Sequence, residues 1–324
     1  MRWHPLRGEW VTYAGYRQHR TFLPPDHYDP LSPSTPELPT ELLAGAYDVA
    51  VFENRFPSFH GGAHDAPGTI VPIAPATGRT EVVVFTQART GALGDLPIAH
   101  VELIVGVLAD RTRELGARED VRYVFPFENR GTEVGVTLHH PHGQIYAYPF
   151  VPPIAANELA HQRRYHEASG RGLLADHLQK ELTDGRRVVA SRPSAVSIVP
   201  VCARYAYELW VAPLRPAPLL TDLTDAEVAD LAAVLKESLQ KLDGLWNIPM
   251  PYILAIHQAP TDGVVHPYAH VHVEIYPALR MPNRLKYLAG SETGAGAFTA
   301  DTIPEEKAAE LRAVDPSAPR AGAK

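Results

Sequence analysis

His140-Pro141-His142-Gly143-Gln144-Ile145-Tyr146 returns later in the chain as His270-Val271-His272-Val273-Glu274-Ile275-Tyr276. Both stretches read H-x-H-x-[Q/E]-I-Y, and each follows a helix-like segment and a short apolar run. An internal duplication explains this better than chance. Only the first copy carries the residues of a nucleophile site, so two diverged halves can divide labour, with chemistry in one and structural support in the other.

Upstream of the first copy, Val121 to Phe125 reads as a strand, and Ile98 to Leu115 has the apolar spacing of an amphipathic helix at Val101, Ile104, Val107 or Leu108, and Leu115. Val49 to Phe52 and Glu81 to Phe85 are β-branched and aromatic, as in short strands, with a turn or mobile loop at Phe59-His60-Gly61-Gly62 between them. Pro24 to Pro39 is too rich in proline for a regular element. The second half repeats the order. Thr224-Asp225-Ala226-Glu227 forms a capping box ahead of an apolar stripe at Val228, Leu231, Leu235, Leu239 and Leu242 that ends at Gly244, and Tyr252 to Ile256 is the next strand. Strand-rich halves, each with a prominent helix, predict an α+β protein in which each half is a mainly antiparallel sheet with helices packed on it. The halves are expected at 1–165 and 166–314, with a disordered Pro-, Ala- and charge-rich tail at 315–324.

The chain of 324 residues can bury a substantial core in one large domain or two ordinary ones. A formal charge of -7 argues against a nucleic-acid partner, which needs a basic face, though a local pocket can still be basic. Cys202 is the one cysteine, so neither an intrachain disulfide nor a thiolate zinc cluster can form, which fits a reducing cytoplasm. The opening Met1-Arg2-Trp3-His4-Pro5 lacks a signal-peptide core, and no apolar run approaches the roughly 20 residues that span a bilayer, so no membrane partner is expected.

In an extended strand His140, His142 and Gln144 share a face. Pro141 has no N–H, which confines it to an edge strand or a ladder terminus, and an edge can meet a ligand. Gly143 lets a phosphate approach the backbone closely. An imidazole is a competent nucleophile toward phosphorus and a good leaving group, which suits two-step transfer. Gln144 can donate a hydrogen bond to a phosphoryl oxygen but supplies no proton, which favours transfer over hydrolysis. Alone, H-x-H on a strand equally describes a metal pair or a structural pair. The longer H-P-H-G-Q string is the signature of the nucleotidyltransferase branch of the histidine triad superfamily.

The chain resembles the galactose-1-phosphate uridylyltransferase family along nearly its whole length. The likeness runs from His4-Pro5-Leu6, Glu9-Trp10-Val11 and Arg17-Gln18-His19-Arg20 to Phe52-Glu53-Asn54-Arg55-Phe56-Pro57. It continues through Phe127-Glu128-Asn129-Arg130-Gly131 and Gly135-Val136-Thr137 to H-P-H-G-Q, and in the second half through His257-Gln258-Ala259-Pro260, His270-Val271-His272, Tyr276-Pro277 and Lys286 to Glu292. The resemblance implies two histidine-triad-like halves and a ping-pong reaction of the Leloir galactose pathway. In it His142 takes UMP from UDP-glucose and galactose 1-phosphate collects it to give UDP-galactose, while Gln144 hydrogen-bonds the transferred group. Asn54, with Arg55 and Phe56 beside it, Asn129 and Gly135-Val136-Thr137 match nucleotide and phosphate contacts. Read alone, Asn54 and Asn129 serve equally as turn residues. Arg17 and Arg20 match basic residues near the phosphates. Lys286, Tyr287, Gly290 and Glu292 match a segment that reaches the hexose in the neighbouring subunit's site, which implies a homodimer with shared active sites.

Glu158, His257, His270 and His272 match a family site for one divalent metal, iron or zinc, and the alternative is a half-buried polar network. A second family zinc site uses a C-x-x-C pair, a further histidine and the first histidine of H-P-H. Here Asp29-Pro30-Leu31-Ser32 and Arg89 stand at those positions, leaving His140 alone. Such a set makes poor zinc coordination, so no metal is expected there and Arg89 is expected to pair with Asp29 instead. Two other readings stay open. One is a related nucleotidyltransferase, such as an ADP-sugar phosphorylase, with the base chosen by pocket shape around Pro24 to Glu41 and Phe56. The other is a non-catalytic nucleotide-sugar sensor.

Overall fold

The computed structural model describes residues 1–19, 24–25, 28–43, 45–59 and 68–318. Arg20, His60, Gly61, Gly62 and the tail from 319 onward therefore lie outside the described residues. Strands β1 (Arg2–His4) and β2 (Glu9–Val11) form a hairpin. The first half then runs β3 (Ala50–Glu53), β4 (Arg79–Val84), helix α1 (Ile98–Gly116), β5 (Tyr123–Arg130) and β6 (His142–Tyr148). Two helices follow, α2 (Pro153–Ser169) and α3 (Leu173–Asp184), and the expected boundary between 165 and 166 falls inside α2. The second half runs β7 (Val188–Arg192), β8 (Ala195–Ile198), β9 (Leu209–Pro213), α4 (Asp225–Gly244), β10 (Tyr252–His257) and β11 (His272–Pro277). A small hairpin of β12 (Leu279–Met281) and β13 (Arg284–Leu285) and helix α5 (Pro304–Ala313) complete the chain, with a turn at 315–318.

The duplication is visible as a repeated unit, strand, helix, strand, strand. β4-α1-β5-β6 in the first half corresponds to β9-α4-β10-β11 in the second. The two sheets are fused into one antiparallel sheet of nine strands, β3-β4-β6-β5-β10-β11-β9-β8-β7. The joint is β5 against β10, with Tyr252 opposite Arg130 and Ala255 opposite Phe127. Fusion leaves no unpaired edge at the centre, where such an edge would invite pairing with other chains.

Alternation then decides what each face does. Along β6, Gly143, Ile145 and Ala147 are buried, while His142, Gln144 and Tyr146 are only half-buried. Ile145 and Ala147 belong to one core with Val101, Ile104 and Val105 of α1 and Leu231, Leu235 and Leu239 of α4. Thr224 caps α4 as its sequence predicts: its Oγ1 accepts from Glu227 N at 3.3 Å and its own N–H donates to Glu227 at 2.9 Å. Helices α1 and α4 thus cover one face of the sheet, and His142 and Gln144 stand on the other.

Of the two places expected for Pro141, an edge or a ladder terminus, the structure has the second. β6 is not an edge strand, since β4 and β5 flank it on both sides. Pro141 instead lies just before the strand, at the ladder terminus, where its carbonyl accepts from Phe85 N at 3.0 Å. A terminus spares the missing N–H as well as an edge would.

Candidate active site and metal-ligand cluster

A small cavity of about 100 Å³ is lined by Arg17, Phe127, Asn129, Gly135, Val136, Thr137, His142, Gly143, Gln144 and Tyr146. A larger one of about 490 Å³ shares His142, Asn129 and Val136 with it and extends to His139, Arg130 and Arg89. Seven residues singled out from sequence thus meet in one place: Arg17, Asn129, Gly135, Val136, Thr137, His142 and Gln144. Gly135 has φ +83°, so the turn after β5 uses a conformation that glycine adopts without strain.

His142 Nδ1 lies 2.7 Å from the His140 carbonyl oxygen, which can only accept. The proton is therefore on Nδ1, and Nε2 keeps its lone pair. Burial holds the His142 pKa below the ordinary histidine value, the opposing pull of the His140 carbonyl being smaller. Asn54 Nδ2 donates a long hydrogen bond, 3.5 Å, to Gln144 Oε1, which leaves the Gln144 amide N–H groups as donors for a ligand. Asn54 Oδ1 in turn accepts from Phe56 N at 2.8 Å. Arg17 donates to Phe56 O at 3.2 Å, to Tyr146 O–H at 3.1 Å and to Ser58 Oγ, and so fixes a guanidinium at the cavity wall. Arg55 is exposed and stacks over the Phe56 ring at 5.7 Å.

Gly143 has a packing reason beside the one expected. A Cβ there would come within 2.9 Å of Phe85 Cζ and 3.1 Å of Phe127 O. The residue is small on that side to admit Phe85, while it also lines the cavity with His142 and Gln144.

Lys286, Tyr287, Gly290 and Glu292 line neither cavity. They lie beyond β13, where Lys286 Nζ donates to Thr299 O at 2.6 Å and Glu292 sits in a single π turn, Gly290–Ala295. Tyr287 is a large aromatic that is 74% exposed among the described residues.

In the second half the equivalent face of the sheet is covered. Glu158 on α2 comes down on His257, which ends β10, and His272, which begins β11 opposite it. One ligand atom from each of the three lies within 4.8 Å of the others. The two rings stack at 5.3 Å, and Glu158 Oε2 is 2.9 Å from His257 Nδ1, an atom that is buried without an aligned hydrogen bond. Two imidazoles and a carboxylate this close together could hold a metal ion.

His270, expected as the fourth ligand, does not join this group. It precedes β11 as His140 precedes β6, and the hydrogen bonds repeat. His270 Nε2 meets Pro213 O at 2.8 Å where His140 Nε2 meets Thr86 O at 2.7 Å, and His272 Nδ1 meets His270 O at 2.9 Å just as His142 Nδ1 meets His140 O. Glu274, two residues along the strand, faces the cluster instead. Its carboxylate is 3.8 Å from His272 Nε2 and 3.9 Å from His257 Nε2, and also pairs with Arg204 at 3.2 Å. Sequence reading missed it, although alternation from His272 puts it on the same face.

At the other expected site, Arg89 Nε is 3.4 Å from Asp29 Oδ2, the pairing anticipated for it. His140 Nδ1 lies 2.7 Å from the same oxygen.

A model of the galactose-1-phosphate uridyl transferase N-terminal domain matches residues 2–152, and one of the C-terminal domain matches 158–320. A galactose-1-phosphate uridylyltransferase of Thermotoga maritima is 35% identical over 319 residues, 96% of this chain and 97% of that one. A solved uridylyltransferase structure aligns with a TM-score of 0.87 at 36% identity, covering 96% of this chain and 97% of that chain. An ADP-glucose phosphorylase from Arabidopsis thaliana, solved with ADP-glucose, has a TM-score of 0.72 at 24% identity over 83% of this chain and 82% of its own, a likeness of fold.

Proposed function

The chain belongs to the galactose-1-phosphate uridylyltransferase family, and we propose that it moves UMP between UDP-glucose and galactose 1-phosphate through a covalent adduct on His142. The observation that carries this reading is the hydrogen bond from His142 Nδ1 to the His140 carbonyl, which leaves the Nε2 lone pair for a phosphorus atom. In the first step the Nε2–P bond forms as the bond from the α-phosphorus to the glucose 1-phosphate oxygen breaks. In the second, a phosphate oxygen of galactose 1-phosphate attacks the same phosphorus and the Nε2–P bond breaks, giving UDP-galactose. Both leaving groups depart without a proton, one as a phosphate and the other as a neutral imidazole. An amide at position 144 is therefore enough. Arg17 and the Gln144 N–H groups offer positive charge and donors to the oxygens that gain charge in each step.

The second half has a supporting part. Glu158, His257 and His272, with the Glu274 carboxylate beside them, would hold one divalent metal that ties α2 to β10 and β11, and no step of the transfer passes through it. The segment from Lys286 to Glu292, exposed at 287–291 between a Lys286 and a Glu292 that pair with each other at 3.7 Å, suits a homodimer in which each subunit completes its neighbour's hexose site. The galactose pathway and a cytoplasmic setting belong to the same reading; among the described residues no helix is long and apolar enough to cross a membrane.

The test is the intact mass of the protein after brief exposure to UDP-glucose. The expected result is a uridylyl adduct that galactose 1-phosphate discharges and that His142→Asn never forms. An adenylyl adduct from ADP-glucose in its place would move the chain to ADP-sugar chemistry. Binding with no adduct from either nucleotide sugar would leave a sensor.

A further inference from the structure

The family's second zinc site does not fit the residues present here. Of the residues at its four positions, only Asp29 and His140 are ordinary zinc ligands. Both ring nitrogens of His140 are already engaged, Nδ1 with Asp29 Oδ2 at 2.7 Å and Nε2 with Thr86 O at 2.7 Å. A guanidinium, that of Arg89, stands 3.4 Å from the carboxylate a metal would need.

What fills the site is a set of bonds converging on Asp29. Its Oδ1 accepts from Leu31 N at 3.0 Å, and its Oδ2 accepts from Ser32 Oγ at 2.8 Å as well as from His140 and Arg89. Burial works against the charged carboxylate, yet the bonds from His140, Ser32 and Leu31 outweigh it and hold the Asp29 pKa far below the carboxylate range. An ionised Asp29 can only accept, and so can the Thr86 carbonyl. Each ring nitrogen of His140 thus faces an oxygen that only accepts, and the two contacts together hold the ring in one orientation. Its side chain is fully buried.

We propose that the Arg89–Asp29–His140 clasp takes the place of a metal in fixing the nucleophile, with Asp29 and His140 acting as positioning residues for His142. The link is covalent at its last step: the ring that Asp29 and Thr86 hold belongs to the residue whose carbonyl fixes His142 Nδ1–H. The second half supplies the contrast. His270 makes the same bonds to Pro213 and His272, but among the described residues its buried Nδ1 has no hydrogen-bond partner. Among those residues the aspartate stands at this corner only in the half that carries His142.

The proposal rests on His142 being the nucleophile, so its test separates the two. Nitrogen-15 NMR of the labelled full chain reads ring protonation with no turnover. The wild-type protein is expected to show His142 protonated on Nδ1 alone. In Asp29→Asn, His142 is expected to become a mixture of tautomers. Its rate of adduct formation should fall about 10–100-fold, the usual cost of losing an outer partner of a functional ring, while KM for UDP-glucose stays unchanged. Elemental analysis is expected to find the metal content of Asp29→Asn equal to wild type and that of His272→Ala reduced. A mixture of His142 tautomers in the wild type, an unchanged His142 tautomer in Asp29→Asn, or metal lost with Asp29 would each overturn the proposal. The wild-type spectrum decides even if the variant does not fold. Absence of any adduct on wild-type His142 would instead overturn the functional reading.

Discussion

In the proposed reaction His142 attacks phosphorus only as the free base, and burial favours that form by holding its pKa below the ordinary value. The acid limb of kcat/KM is therefore expected below the unperturbed histidine pKa of about 6.5, since activity is lost only when Nε2 takes up a proton. A limb above that value in a pH–rate profile would mean that another group controls the attack. Gly143 makes a prediction of the opposite kind. Because an added Cβ would meet Phe85 and Phe127 O, Gly143→Ala should lose about 1–3 kcal/mol of stability in urea unfolding without any ligand. Unchanged stability with weakened nucleotide binding would leave only the phosphate-approach reading. The place of Gln144 beside His142 was legible because alternation puts both on one strand face. The packing of Gly143 against Phe85 was not, since it depends on a strand distant in sequence, and Glu274 was passed over because two histidines beside it had claimed the ligand roles.

Among elements, α4 and β6 were the easiest to read, since Thr224 and Glu227 announce a helix start and the H-x-H-x-Q run alternates cleanly. β8 and β9 went unread because they are buried on nearly every residue, so their sequences lack alternation. The contribution of α2 to the cluster was invisible to periodicity, since only Ala155, Leu159 and Gln162 of that helix are buried. The joint between β5 and β10 carries a testable charge. Glu128 is buried there, with Tyr252 O–H donating to it at 3.0 Å, and burial outweighs the attraction of Arg130 and pushes its pKa up to about 7. An acid whose folded pKa is raised binds more protons folded than unfolded, so stability falls as pH rises from the unfolded value of about 4.3 toward 7 and is level above that. The effect is on the order of 3 kcal/mol between pH 4 and pH 8. Urea unfolding at both pH values should show a smaller decline in Glu128→Gln, which keeps an acceptor for Tyr252 but cannot ionise; an equal decline would place the titrating group elsewhere.

For the whole molecule, one duplicated unit yields two unlike faces because only the second is roofed by α2. Where the roof is present, Glu158 closes over His257 and His272, and where it is absent the equivalent strand presents His142 and Gln144 to two cavities. The segment from Lys286 to Glu292 lines neither cavity on the open face and lies beyond β13 with Tyr287 exposed. A symmetric dimer in which each subunit lends that segment to its neighbour would complete both sites, since a two-fold interface repeats every contact. Under that arrangement His142→Ala and Lys286→Ala are each inactive as homodimers, but a heterodimer of the two has one site with both defects and one with neither. Purified heterodimers are expected to recover about half the wild-type activity. Activity no higher than that of the parent homodimers would show that each chain supplies its own Lys286, and the segment would then have to fold back across its own subunit to reach the hexose.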